Sequence, residues 1–541
     1  MIVAAAQGAA DSAASLVQSV DWLAIAPPAL TAAVALIVLV ADLFVPDRRK
    51  PLLGALSVAG LAAALLLLIP LRAGDRATFC LTSDADVCSY TVDQFTLVIQ
   101  LLVLGGALLT ALLSVTELGG GTGDGERRGQ LPPGEFWFLL LSSAAGAALL
   151  PAARDLATLV VALEVATLPA FALVGLKRGD RLSSEAALKF FLSSVTATAV
   201  MLLGVSFVYA TTGTLHLTEI AGRLDDVPGE FETLASAGVA LTLVGFAFKA
   251  AAAPFHFWVP DTYVGAPLPI AAYLSVVGKA VGFSGLILVT VIAFPSHSDV
   301  WGPAVAVLAA LTMTVGNVAA LRQSATRAWS AVRLLAWSSV AQAGYLLVPI
   351  AAAAYAGTDQ IGSTVAYALM YAVVNLGAFA IAALVARTKP LNRLVDYRAL
   401  ASERPLVALA MGFFLLCLAG LPPGVIGLFA KVTVFSSAVD AGLGWLAVVM
   451  AVNVVVALFY YLQWTAALFR APEPADSPHS PDSPDNPGSP AAEPALRPAG
   501  ALAAHRAPAP VLAAIGLTAA AGVALSGAPQ LVLRFAAETL F

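Results

Sequence analysis

The chain is 541 residues long, 60% hydrophobic and only 11% charged, with a mean hydropathy of +0.88. Soluble domains carry about 25% charged residues, so this composition excludes a water-soluble globular protein; with no alternating segments it also excludes a transmembrane β-barrel. The net charge of −5 says little, because in a membrane protein the location of charge matters more than its sum.

Apolar runs of about 20 residues, each long enough to span about 30 Å of hydrocarbon, recur along the chain. They predict an all-α polytopic protein of fourteen spans, beginning near Ile25, Leu52, Val92, Glu135, Leu156, Ser183, Phe231, Pro267, Gly302, Ala331, Ile361, Pro405, Leu443 and Val511. The N-terminus lacks a basic region and a clean cleavage site before the first span, so no removable signal peptide is expected. With the N-terminus outside, nineteen of the 28 Lys and Arg residues fall in inner loops, five (Arg72, Arg76, Arg154, Arg223 and Arg534) fall outside, and four lysines lie within spans. Such a bias predicts both termini on the outer side of a bacterial cell membrane. Cys80 and Cys88, in the loop after the second span, then occupy a compartment that permits a disulfide; a bond and two free thiols are both compatible with the sequence. Residues 471–510 are dense in Pro, Ser, Asp and Ala and predict a disordered inner linker before a last helix at 511–541. The glycine-rich loop at 119–134 reads the same way. Neither a phosphate-binding glycine loop nor a CxxC pair or His/Cys cluster is present, so no nucleotide, iron–sulfur cluster or metal is expected in this chain.

The chemistry lies in charge placed where lipid would exclude it. Lys189, Lys249, Lys279 and Lys431 sit in apolar stretches and Glu164 sits mid-span. Such residues cost about 2.5–3.5 kcal/mol each at the bilayer centre and mark ion pathways or proton relays. Lys249 lies in LVGFAFKAAAAPFHFWVPD, where Pro254 and Pro260 bracket His256 and interrupt an apolar helix. Lys431 lies in LAGLPPGVIGLFAKVTVF, beside Pro422 and Pro423. Interrupted helices at membrane depth face protein or water and mark transport sites, and two breaks beside two lysines suggest two related half-channels. His256 is either a proton carrier between Lys249 and Lys279 or a hydrogen-bonded structural residue. Lys189 has Glu185 one turn earlier, so a plain ion pair explains it as well as a relay does.

FKAAAAPFHFWVPDTYVGAPLPIAAYLSVVGKAVGF resembles the seventh and eighth helices of the subunit N family of bacterial NADH-quinone oxidoreductases (respiratory complex I). EAALKFFLSS, LLAWSSVAQAGYLL and LAGLPPGVIGLFAKVTVF are similar to its sixth, tenth and twelfth. The resemblance covers roughly 135–468. Sister subunits L and M and the Mrp-type cation/proton antiporters share the architecture, but subunit L has a different, histidine-containing eighth helix and subunit M a glutamate at the place of Lys431. The resemblance implies an N-terminal three-helix segment (1–134) and two inverted five-helix repeats (135–294 and 302–470), each with one broken helix. It also implies Glu164 and Lys249 as a coupled pair, Lys279 as a central relay and Lys431 as the terminal lysine of the opposite half-channel. NADH, FMN, iron–sulfur clusters and quinone would then be held by other subunits, and the partners would be membrane-arm subunits and lipid, not nucleic acid. Family members often have a histidine in the tenth helix where this chain has Gln342, which cannot carry a proton. The alternatives are an Mrp-type sodium/proton antiporter subunit without redox coupling and a scaffold that only assembles a complex.

Overall fold

The computed structural model describes residues 20–81, 84, 86–118, 131–471, 507–536 and 540. The expected linker and the glycine-rich loop fall almost wholly outside the described residues.

Helices dominate. The first three spans are α1 (Trp22–Phe44), α2 (Pro51–Leu66) and α3 (Gln94–Leu118). A first set of five follows: α4 (Pro133–Leu149), α5 (Leu156–Val174), α6 (Arg181–Thr212), a fourth member split into α8 (Glu232–Lys249) and α9 (Val259–Gly265), and α10 (Leu268–Ala293). The short α7 (Leu217–Leu224) lies within this set. A second set repeats the order: α11 (Ser298–Leu321), α12 (Ser330–Ala356), α13 (Ile361–Ala386), a split α14 (Pro405–Ala419) with α15 (Val425–Asp440), and α16 (Gly444–Leu468). The last helix is α17 (Ala509–Gly527). Among the described residues thirteen helices are long and apolar enough to cross a membrane; the remaining expected span is the broken α14–α15 pair.

Helix starts are fixed by aspartate. Asp21 accepts from Leu23 and Ala24 at the head of α1, Asp155 from Thr158 at α5, and Asp180 from Leu182 at α6. Each satisfies N–H groups that the first turn leaves unpaired. The breaks interrupt otherwise continuous helices. The first opens at Ala251, which adopts left-handed backbone (φ 61°); the second opens at Gly420 (φ 84°). The first is held by protein: the Ala253 N–H donates to Thr312 Oγ1 of α11 at 2.8 Å, and the Trp258 indole donates to the Phe248 carbonyl at 3.3 Å.

One element was not expected. The loop carrying Cys80 and Cys88 is a hairpin, with β1 (Arg76–Cys80) antiparallel to β2 (Cys88–Val92), and a disulfide joins the two facing cysteines. Around it gathers one end of the bundle. Arg76 pairs with Asp21 at 2.6 Å, Arg154 binds Asp93, and backbone bridges join Tyr90 to Ala153 and Asp155 to His216. Arg72 and Arg534 line a shared cavity there. Four of the five arginines assigned to one side by charge counting, Arg72, Arg76, Arg154 and Arg534, thus lie at one end of the bundle. At the opposite end the loop after α11 pairs with the loop after α13, through Trp329 to Leu391 and Val395 to Ala325.

Candidate functional site

Of the four lysines in apolar stretches, three are buried: Lys249, Lys279 and Lys431 are 3%, 1% and 5% exposed. Each lies at a distortion of its helix. Lys249 is the last residue of α8 before the break. Lys279 lies between two wider π-turns, Leu274–Gly278 and Leu288–Ala293, a distortion frequent at functional sites. Lys431 follows the second break.

Lys249 donates to Ser194 Oγ of α6 at 2.6 Å. Its Nζ lies 5.5 Å from the Phe171 ring and 5.9 Å from the Phe248 ring, whose faces favour a cation in a dry site. Glu164, half-buried on α5, accepts from Thr198 Oγ1 of α6 at 2.8 Å and from Thr167 Oγ1 at 3.5 Å. The glutamate and lysine expected as a pair form no direct ion pair. They meet the same helix one turn apart, through Thr198 and Ser194. Beside Lys249 a cavity of about 20 Å³ is walled by Thr167, Ser143, Tyr273 and Gly278, room for about one water with polar neighbours. Ser143 and Tyr273 hydrogen-bond at 2.9 Å, so this cavity leads from Lys249 to the helix that carries Lys279.

Lys279 donates to the Ser339 carbonyl of α12 and lies 5.9 Å from the Tyr371 ring. Tyr371 hydrogen-bonds Ser339 Oγ at 2.8 Å and donates to the Ser275 carbonyl at 3.1 Å. From α12 the polar contacts continue to the second break. Ser338 hydrogen-bonds Tyr461 at 2.5 Å, Gln342 Nε2 donates to Tyr461 at 3.2 Å and to the Leu418 carbonyl at 3.5 Å, and Tyr367 donates to Gln342 Oε1. Lys431 closes the line by donating to the Leu418 and Ala419 carbonyls at 2.8 and 2.7 Å. These are orphan carbonyls at the end of α14, where a cation also meets the negative end of the helix dipole. Gln342, one turn along α12 from Ser338 and Ser339, thus meets Tyr461, Tyr367 and the carbonyl that Lys431 also binds.

Two expected members stand apart. Lys189 is not buried: its side chain is 48% exposed and pairs with Glu185 at 2.8 Å and with Asp261 at 2.9 Å. Hydropathy placed it in an apolar run, but its face of α6 points away from the core. Asp261 also pairs with Arg333 at 3.5 Å, so the cluster links α6, α9 and α12. His256, within the first break, touches neither buried lysine. Its ring lies 5.5 Å from Trp337, and its buried Nδ1 has no hydrogen-bond partner. Ser194, Thr198, Tyr367, Tyr371 and Tyr461 were not foreseen. Hydroxyls are common in these helices, and sequence alone does not say which of them face inward.

Residues 153–457 match the family model described as NADH:quinone oxidoreductase/Mrp antiporter, TM. The chain is 76% identical over 532 residues to NADH-quinone oxidoreductase subunit N 2 of Streptomyces griseus subsp. griseus, covering 98% of this chain and 96% of the relative. The chain belongs to the subunit N family of NADH-quinone oxidoreductases. NADH-quinone oxidoreductase subunit N of Salinispora tropica is 44% identical, over 86% of this chain and 88% of its own. Among solved structures, a chain of respiratory complex I from Thermus thermophilus with bound aureothin matches at 31% identity and TM-score 0.70, covering 94% of this chain and 98% of its own. The Mrp complex of Dietzia sp. DQ12-45-1b matches at 22% identity and TM-score 0.75, covering 94% of this chain and 96% of its own; that likeness concerns the fold. Among the described residues of this subunit N family member, no group of three or more His, Cys, Asp and Glu side chains is placed to hold a metal.

Proposed function

We propose that this chain is the proton-translocating membrane-arm subunit N of an NADH-quinone oxidoreductase, working as one part of that translocase. The observation that carries the reading is the line of three buried lysines, Lys249, Lys279 and Lys431, with a cavity between the first and the helix of the second and polar contacts of α12 between the second and the third. A lipid-exposed scaffold has no need of buried ammonium groups, which lipid and protein interior both penalise. Redox energy released elsewhere in the complex shifts the charge states of Glu164 and Lys249, and a proton passes by way of Lys279 toward Lys431. The chain itself binds no NADH, FMN, cluster or quinone; those belong to other subunits of the complex. It spans the bacterial cell membrane against neighbouring membrane-arm subunits and lipid, with both termini on the outer side and the two sets as inverted repeats.

The test uses membrane vesicles from cells lacking this chain and from the same cells with it restored. NADH-driven quinone reduction and proton uptake are expected to be lost and regained together. Unchanged pumping without the chain would reject the reading. Sodium/proton exchange without NADH oxidation, conferred by the chain, would support the Mrp-type reading instead.

A further inference from the structure

We infer that Ser194 and Thr198 of α6 are positioning residues that couple Glu164 to Lys249, holding the two charges apart while letting each respond to the other. The inference rests on the proton-translocating reading above. The two side chains are 1% and 9% exposed and lie four residues apart, which places them on one face of α6, one turn from each other. Their neighbour Thr196 lies off that face and bonds its own helix, donating to the Leu192 carbonyl at 2.9 Å. Ser194 and Thr198 instead bind side chains of other helices, Lys249 of α8 at 2.6 Å and Glu164 of α5 at 2.8 Å.

The directions of these bonds matter. A hydroxyl has one hydrogen to donate and lone pairs to accept, whereas an ammonium only donates and a carboxylate only accepts. With both groups charged, Lys249 donates to Ser194 and Thr198 donates to Glu164. Lys249 then makes no use of the Ser194 hydrogen. When Lys249 loses its proton, its nitrogen can accept, and the Ser194 hydroxyl can turn to donate to it. When Glu164 gains a proton, its own O–H can donate to Thr198. Each hydroxyl therefore reverses with the charge of the group it touches, and the two hydroxyls are one helical turn apart. A direct contact between carboxylate and ammonium in this apolar setting would instead lock both charges, because each would stabilise the other's ionised form. The hydroxyls give each charge a hydrogen bond without that lock.

The variants are made in the intact complex in native membranes. Thr198→Val keeps the shape and removes the hydroxyl, as does Ser194→Ala; Thr198→Ser and Ser194→Thr keep it. Co-purification of this chain with the complex reports assembly, NADH oxidation by ferricyanide, which bypasses the membrane arm, reports the rest of the enzyme, and proton uptake at equal NADH concentration reports coupling. Thr198→Val and Ser194→Ala are expected to lower proton uptake about tenfold with ferricyanide activity unchanged, and Thr198→Ser and Ser194→Thr to restore it. If the valine and alanine variants fail to assemble, Ser194→Cys, close in size with a weak hydrogen-bonding group, takes their place and is expected to assemble and pump poorly. Wild-type proton uptake in an assembled variant lacking both hydroxyls overturns the inference. Glu164→Gln and Lys249→Ala are run in parallel. Normal pumping in those two rejects the proton-translocating reading itself, whereas lost pumping there with normal pumping in the hydroxyl variants rejects only the bridge.

Discussion

Lys249 and Lys431 both stand at a helix break, yet they are held by different groups. Lys249 ends α8 and reaches a hydroxyl of another helix. Lys431 lies beyond its break and reaches back to the carbonyls that end α14. Lys431→Met therefore removes the mobile charge and a donor to two buried carbonyls; the Leu418 carbonyl keeps Gln342, whereas the Ala419 carbonyl is left bare at a cost of about 1–3 kcal/mol. NADH-driven proton uptake is expected to fall about tenfold or more, and thermal unfolding of the purified complex to shift down. A variant that keeps both properties would remove Lys431 from the relay. Lys189→Ala should behave differently, since exposed ion pairs contribute about 0.2–1 kcal/mol. Pumping in membrane vesicles should stay within about twofold of wild type; a collapse like that of Lys431→Met would return Lys189 to the pathway. This contrast marks how far single residues could be read from sequence. Buried lysines were legible because charge in an apolar run is conspicuous. Hydropathy reports depth along a helix and not which face looks inward, so Lys189 was grouped with the buried three and Ser194 and Thr198 passed unnoticed.

At the scale of elements, the two breaks were visible as prolines inside apolar runs, while the hairpin was not. RATFC and CSYTV are short, and the membrane pattern around them dominates. The hairpin is tied to α1 by Asp21, whose carboxyl is held below its ordinary value of 3.8 mainly by the hydrogen bond from Arg76. A depressed carboxylate stabilises the fold above its unfolded pKa and loses that contribution as pH falls through the lower folded one. Amide exchange in Arg76–Cys80 and Cys88–Val92 should therefore quicken as pH falls below about 4, after correction for intrinsic exchange. Asp21→Asn should abolish that pH response; an identical profile in the variant would place the sensitivity elsewhere. At the second break, Gly420 has φ 84° and a methyl added there would lie 3.1 Å from Lys431 Cδ and 3.4 Å from Nζ. Gly420→Ala thus carries a left-handed strain of about 1–2 kcal/mol and crowds the lysine against its carbonyls. Proton uptake is expected to fall while NADH oxidation by ferricyanide holds; unchanged uptake would mean that the break tolerates a shifted Lys431.

Over the whole molecule, two sets of five helices, each with a split fourth member, meet where α10 packs against α12 and α13. The order of the spans could be read from hydropathy, because lipid imposes a length and a polarity on every crossing. The join between the sets could not, because it depends on Tyr371 reaching the Ser275 carbonyl and Lys279 reaching the Ser339 carbonyl; nor could the way on toward Lys431, which uses Gln342, Tyr367 and Tyr461 from three different helices. Gln342 is the informative member: it ties Tyr367, Tyr461 and the Leu418 carbonyl together between Lys279 and Lys431. An amide cannot take up a proton, so it serves this junction by holding the hydroxyl groups and any bridging water in line. Gln342→Leu keeps the bulk and removes every one of those bonds. Quinone reduction and proton uptake in NADH-energised vesicles are expected to fall together, with the chain still co-purifying with the complex. Gln342→His restores a donor and an acceptor and should keep both activities. If the leucine variant pumps as wild type does, the network between the two lysines serves packing alone, and protons cross from one set to the other by another route.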